Sequence, residues 1–254
     1  MAQSLELFHM FRNVIVMLKR RHYNISNYEI ILNDAYTPDL FMKYLSEMRS
    51  TPQNYTHVYR ILKTGEKKGS SVSVRNSMSF YILSPDNEIT LIFFATSSTG
   101  SNIVTDQMSL LSQLAILLKD QNVVVNNIII IGSTDIHSQA RSIVSDMERF
   151  YFVQFFLDKE ISSDPTDYEW GSQVEIYTKE QTSEFFRNNN LTPGLIPAIP
   201  ISDIVLKYLG VKDKLVVKLT RKSFIPETCD DESIAFRYTY IQPVEKSSST
   251  KKKK

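Results

Sequence analysis

Carboxylates placed just ahead of a buried strand are where a metal-dependent nuclease keeps its ligands, and SPDNEITLIFF offers Asp86 and Glu88 in that place. Restriction-type nucleases need an aspartate, then an acidic residue and a lysine separated by one residue on the next strand. Two carboxylates then hold Mg²⁺ while the lysine positions water. Here Glu88 is followed by Ile89 and Thr90, so the lysine is missing, and Pro85–Asp86–Asn87 has the composition of a turn. Ser133, Asp135 and His137 follow the apolar run that ends at Gly132, yet their order gives neither a nucleophile elbow nor a triad. GSTDIHS also lacks the further glycines that let a backbone approach a pyrophosphate. GEKKGSS, Gly65 to Ser71, has its lysines and glycines in the wrong order for a phosphate loop, and no apolar strand leads into it. His9, His22, His57 and His137 are scattered, and the single Cys229 supports neither a disulfide within the chain nor a cysteine-based zinc site. No complete catalytic set is visible, and no metal, cofactor or small-molecule substrate is expected.

The elements that would carry such residues are easier to read. The chain has 254 residues, enough for one large domain or two small ones. Its net charge of +1 gives no general reason to bind nucleic acid or membrane, although the charge is uneven: +5 over residues 1–84, −8 over 85–173 and +4 over 174–254. The opening MAQSLELFHMFRNVIVMLKRR lacks the order of a signal peptide, and no apolar run reaches membrane-spanning length. A soluble intracellular protein in a reducing compartment is the expectation.

Leu5, Phe8, Phe11, Val14, Ile15 and Leu18 fall on one face of an opening helix, and Ser26 or Asn27 is placed to cap a second. Residues 50–78 are polar and read as a mobile excursion. ITLIFFAT, VVVNNIIIIG and FVQFFLD then read as buried strands, separated by helical stripes through Val104–Leu118 and SQARSIVSDMERF. Strand, helix, strand, helix, strand implies parallel pairing through crossovers. Residues 1–165 are therefore expected to form a three-layer α/β domain with a mainly parallel sheet, followed by a linker over 166–177.

A small α+β unit is expected over 178–244. Thr178 and Gln181 make a capping box for a helix that Pro193 and Gly194 end. Pro197 and Pro200 fix an extended approach, Ser202 or Asp203 caps the helix IVLKYL, and Gly210 sits where a left-handed cap is needed. LVVKLTR and IAFRYTYI are strand-like, with Ile234, Phe236, Tyr238 and Tyr240 alternating onto one face. The tail over 245–254, SSSTKKKK at its end, has the composition of a disordered basic segment.

The stretch LIPAIPISDIVLKYLGVKDKLVVKLTRKS closely resembles the signature of the fifth subunit shared by eukaryotic nuclear RNA polymerases. The C-terminal half of that family corresponds to a small archaeal polymerase subunit of the H type. Ile196–Pro197, Ile199, Asp203, Tyr208–Leu209–Gly210, Val216–Val217–Lys218, Arg221 and Ser223 fill places of that pattern, and Arg237–Tyr238 stands at its closing strand. TLIFF, NNIIIIG, FYFVQFFLDKE and YTKEQTSEFF follow the family's order upstream. The chain departs from the family at Asp203–Ile204, where the family has Asp-Pro, and in the longer KSFIPETCDDES.

The resemblance implies a non-catalytic subunit of a DNA-directed RNA polymerase. Its N-terminal domain would be a jaw beside downstream duplex DNA, and its C-terminal module would dock on the largest subunit. The implied interface residues are Pro197, Ile199, Asp203, Tyr208, Gly210, Lys218, Arg221, Arg237 and Tyr238, with the two tyrosines as anchors and the cations facing carboxylates. Sequence-independent phosphate contacts would fall to Arg60, Lys63, Lys67, Lys68 and Arg75 on the polar excursion. The divergence suits a large DNA virus or a divergent eukaryote, so the expected location is the nucleus if cellular, and host cytoplasm or virion if viral. A Mg²⁺ nuclease and a free-standing DNA-binding adaptor are the alternatives.

Overall fold

Ile89–Ala95 and Val125–Gly132 are apolar at almost every position, so neither strand can show a face to water and both must be covered on two sides. The computed structural model, which describes residues 2–50, 73–96, 103, 105–168, 172–222 and 232–241, shows how. The chain divides into two units, Met1–Asp164 and Pro165–Lys254.

The first unit opens with α1 (Ala2–Arg20), α2 (Glu29–Leu32) and α3 (Pro38–Ser50). It continues with β1 (Phe80–Leu83), β2 (Ile89–Ala95), α4 (Thr105–Asp120), β3 (Val125–Gly132), α5 (Ser138–Met147), β4 (Phe152–Leu157) and α6 (Asp158–Ile161). The strands lie in the order β1-β2-β3-β4 as a mixed sheet. β2, β3 and β4 are parallel, as the alternation of strand and helix requires, while β1 pairs antiparallel to β2 from Phe80↔Ile92 to Leu83↔Ile89.

Each face of the sheet has its own cover. Leu91, Phe93, Ala95, Ile128 and Ile130 pack with Met108, Leu111, Leu114 and Leu118 of α4 and with Ala140, Val144 and Met147 of α5. On the other face Phe11 of α1 meets Phe94 at 5.9 Å, Phe80 at 5.5 Å and Phe41 of α3 at 5.2 Å. α1 buries Phe8, Phe11, Val14, Ile15 and Leu18 as its periodicity predicts, but Leu5 is 45% exposed. The expected cap of the second helix is also absent. Ser26–Tyr28 forms a 3-10 turn, and the Asn24 carboxamide accepts from the Ser26 N–H and hydroxyl.

The carboxyl ends of the parallel strands are tied together by Arg75. Its Nε donates to the Ala95 carbonyl at 2.7 Å, and Nη2 reaches the Ile131 carbonyl at 3.4 Å. Both terminal nitrogens meet the Asp158 carboxylate, at 2.9 and 2.5 Å. Its side chain is 13% exposed and that of Asp158 33%. Arg75 therefore lies in the body of the unit and not on the polar excursion where its sequence neighbours placed it. The excursion itself, with Arg60, Lys63, Lys67 and Lys68, lies outside the described residues, as does the basic tail.

Ile103 closes the same end of the sheet. Its backbone forms a parallel bridge with Ile136, and its side chain is fully buried. A Cβ built on Gly132 would overlap Ile103 Cδ1 and sit 3.1 Å from the Thr134 carbonyl oxygen. Gly132 is thus required by the packing of this chain's own loop, with no pyrophosphate needed to account for it.

The second unit contains β5 (Gln173–Ile176), α7 (Lys179–Asn188), β6 (Ala198–Pro200), α8 (Ile204–Leu209), β7 (Val216–Lys222) and β8 (Glu232–Tyr240). Its sheet order is β5-β7-β8-β6. The linker expected over 166–177 is corrected at its end, because Gln173–Ile176 pairs antiparallel to β7 and belongs to this sheet.

Two outcomes test this account. Gly132→Ala should lower stability by about 1–3 kcal/mol, and the loss should shrink in an Ile103→Ala background when both are measured by urea unfolding. Arg75→Met should cost roughly 2–4 kcal/mol by leaving Asp158 without its partner. Unchanged unfolding for Arg75→Met would show that the guanidinium does not tie the strand ends.

Candidate docking surface

The second unit is built from short elements whose ends are held by their own side chains. Thr178 Oγ1 accepts from the Gln181 N–H at 3.2 Å, and Gln181 Oε1 accepts from the Thr178 N–H at 2.8 Å, so the predicted capping box of α7 is present. Glu180 in the same first turn is held below the usual carboxylate range by its own backbone N–H and the Thr178 hydroxyl. Asp203 caps α8, with Oδ1 accepting from the N–H groups of Val205 at 3.0 Å and Leu206 at 3.3 Å. Gly210 ends α8 in the left-handed region, at φ 72°, where a Cβ would be strained.

The register of β8 against β7 pairs Val216 with Tyr238, Lys218 with Phe236 and Thr220 with Ile234, which puts these six side chains on one face. α7 covers part of that face. Phe185 lies 4.8 Å from Phe236, and Phe186 lies 5.6 Å from Tyr238 in an edge-on contact. The opposite face carries Val217 and Leu219, which pack with Leu206 and Val211 and against Val174, Ile199 and Ala235.

Most of the interface candidates turn out to hold this unit together. Tyr208 is 1% exposed and belongs to the core, so it is not a free anchor. Ile199 packs on the apolar cluster, Asp203 and Gly210 terminate α8, and the Pro197 carbonyl accepts from the Tyr238 N–H at 3.1 Å. Tyr238 is half-buried against Phe186. The cations are more open. Lys218 Nζ pairs with Glu175 Oε2 at 3.1 Å, Arg221 Nε donates to the Ser172 hydroxyl at 2.7 Å, and Arg237 Nη1 donates to the neighbouring Phe236 carbonyl at 2.9 Å. Exposed apolar side chains add Leu195, Ile204, Ile234 and Ile241. Sequence periodicity marked Ile234; nothing in the pattern distinguished the others from core residues.

The chemistry-bearing residues of the first unit do not converge. Asp86 lies in the turn that joins β1 to β2, where the Ser84 N–H donates to the Glu88 carbonyl at 2.8 Å and Asn87 takes φ 59°. That turn is at the amino end of β2, away from the carboxyl edge where sites of parallel sheets collect. Glu88 Oε2 accepts from Asn127 Nδ2 at 3.0 Å. The place of a nuclease lysine is taken by Thr90, whose buried hydroxyl is 2.9 Å from the Tyr23 hydroxyl. Asp135 pairs with Arg141 at 3.0 Å, His137 Nδ1 caps α5 by accepting from the Gln139 N–H at 3.3 Å, and Ser133 is exposed. A cleft of about 810 Å³ at the carboxyl end is lined by Glu6, His9, Asn13, Arg75, Asp158 and Lys159, among others. Its best-placed charges, Arg75 and Asp158, are spent on each other. Among the described residues no three potential metal ligands cluster, and no helix is long and apolar enough to cross a membrane.

Comparison with known proteins bears on the second unit. Residues 163–239 match the family described as RNA polymerase Rpb5, C-terminal domain. Two curated relatives are named DNA-directed RNA polymerases I, II, and III subunit RPABC1, one from Caenorhabditis briggsae and one from Caenorhabditis elegans. Each is 27% identical over 106 residues, which are 42% of this chain and 49% of the relative. The chain thus spans about half the length of the curated relatives it matches. The family match begins ahead of β5 and ends inside β8, so it takes in every element of the second unit. Over residues 163–239, therefore, the chain is similar to the C-terminal domain of RNA polymerase Rpb5, and part of it resembles the curated polymerase subunits.

Proposed function

We propose that this protein is a non-catalytic subunit of a multisubunit DNA-directed RNA polymerase, docked through its second unit on the largest subunit. The observation that carries this reading is that the Rpb5 match falls on a separate compact unit whose short helices are capped by its own side chains. Such a unit meets a partner with its shape already fixed, so little conformational entropy is lost on docking. Arg221 and Arg237 are the cations best placed to meet carboxylates of the partner, and Ile204 and Ile234 supply apolar contact.

The first unit is assigned the role of a jaw beside downstream duplex. Its described residues hold more carboxylates than cations, and Arg75 is engaged with Asp158. Phosphate contact would therefore rest on Arg60, Lys63, Lys67 and Lys68 and would be sequence-independent and salt-sensitive. A nuclear location follows from this reading if the polymerase is cellular, and host cytoplasm or virion if it is viral.

Tagged full-length protein isolated from its own cell should recover the largest polymerase subunits in stoichiometric amount; recovery of the tagged chain alone would end the proposal. Reversing both Arg221→Glu and Arg237→Glu should weaken that association about ten-fold while thermal unfolding stays within a few degrees. Tyr208→Ala should instead lower the unfolding temperature, because about 3–5 kcal/mol of aromatic burial is lost from the core.

A further inference from the structure

We draw no further inference here: the strongest candidate, the cleft between α1, α6 and the carboxyl ends of the parallel strands, has Arg75 and Asp158 paired with each other, and nothing in the structure shows what would fill it.

Discussion

The first unit depends on one guanidinium. The three parallel strands end side by side, and carbonyls near their ends need donors. Arg75 reaches the carbonyls of Ala95 and Ile131 and the carboxylate that follows β4, joining three strand ends through a planar fork. The residues around it finish the closure. Asn76 donates to the Phe94 carbonyl at 3.1 Å and to Gln107 Oε1 at 2.9 Å, and the Ser79 hydroxyl accepts from the Phe94 N–H at 3.1 Å. A charged group 13% exposed is costly unless it is paired and hydrogen-bonded, and this one pairs with Asp158 and donates to two carbonyls.

The same closure bears on where this sheet could leave a crevice. Open parallel sheets hold ligands where consecutive crossovers leave on opposite faces, which opens a crevice between them. Here α4 and α5 lie on the same face and share one apolar cluster, so no such reversal occurs among β2, β3 and β4. Ile103 then fills the space above Gly132.

Much of this was legible in the sequence, wherever one physical requirement dominates a stretch. The runs ITLIFFA and VNNIIIIG must be buried on both sides, the Thr178–Gln181 spacing makes a capping box, and Gly210 follows a short helix at the position of its cap. β1 and β5 were harder to see. FYIL and QVEI are four residues each and follow polar segments, so alternation has no length in which to show itself. Arg75 was misplaced for a related reason: charge assigns a residue to water unless its partner is known, and Asp158 stands far away in the chain. Tyr208 shows the opposite error, since a tyrosine that serves an interface and one that serves a core carry the same letters around them.

Both units use buried polar side chains to hold strand backbone, and the second adds side-chain caps on its short helices. In the first, polar side chains enter the interior to tie strands, as Arg75, Asn76, Thr90 and Asn127 do. In the second, Thr178 and Asp203 terminate short elements at the surface and the buried Thr182 and Thr239 hold the backbone at Val216 and Leu215, while aromatic rings from α7 and apolar residues around α8 cover the two faces of its sheet. The second arrangement fixes loops and helix ends without filling the exterior. Arg221 is exposed, and Ile204 and Ile234 are apolar groups that stand in water in the isolated chain. A unit that spends hydrogen bonds on its own shape carries its outer side chains on a fixed scaffold, so any group that meets them loses little to their ordering.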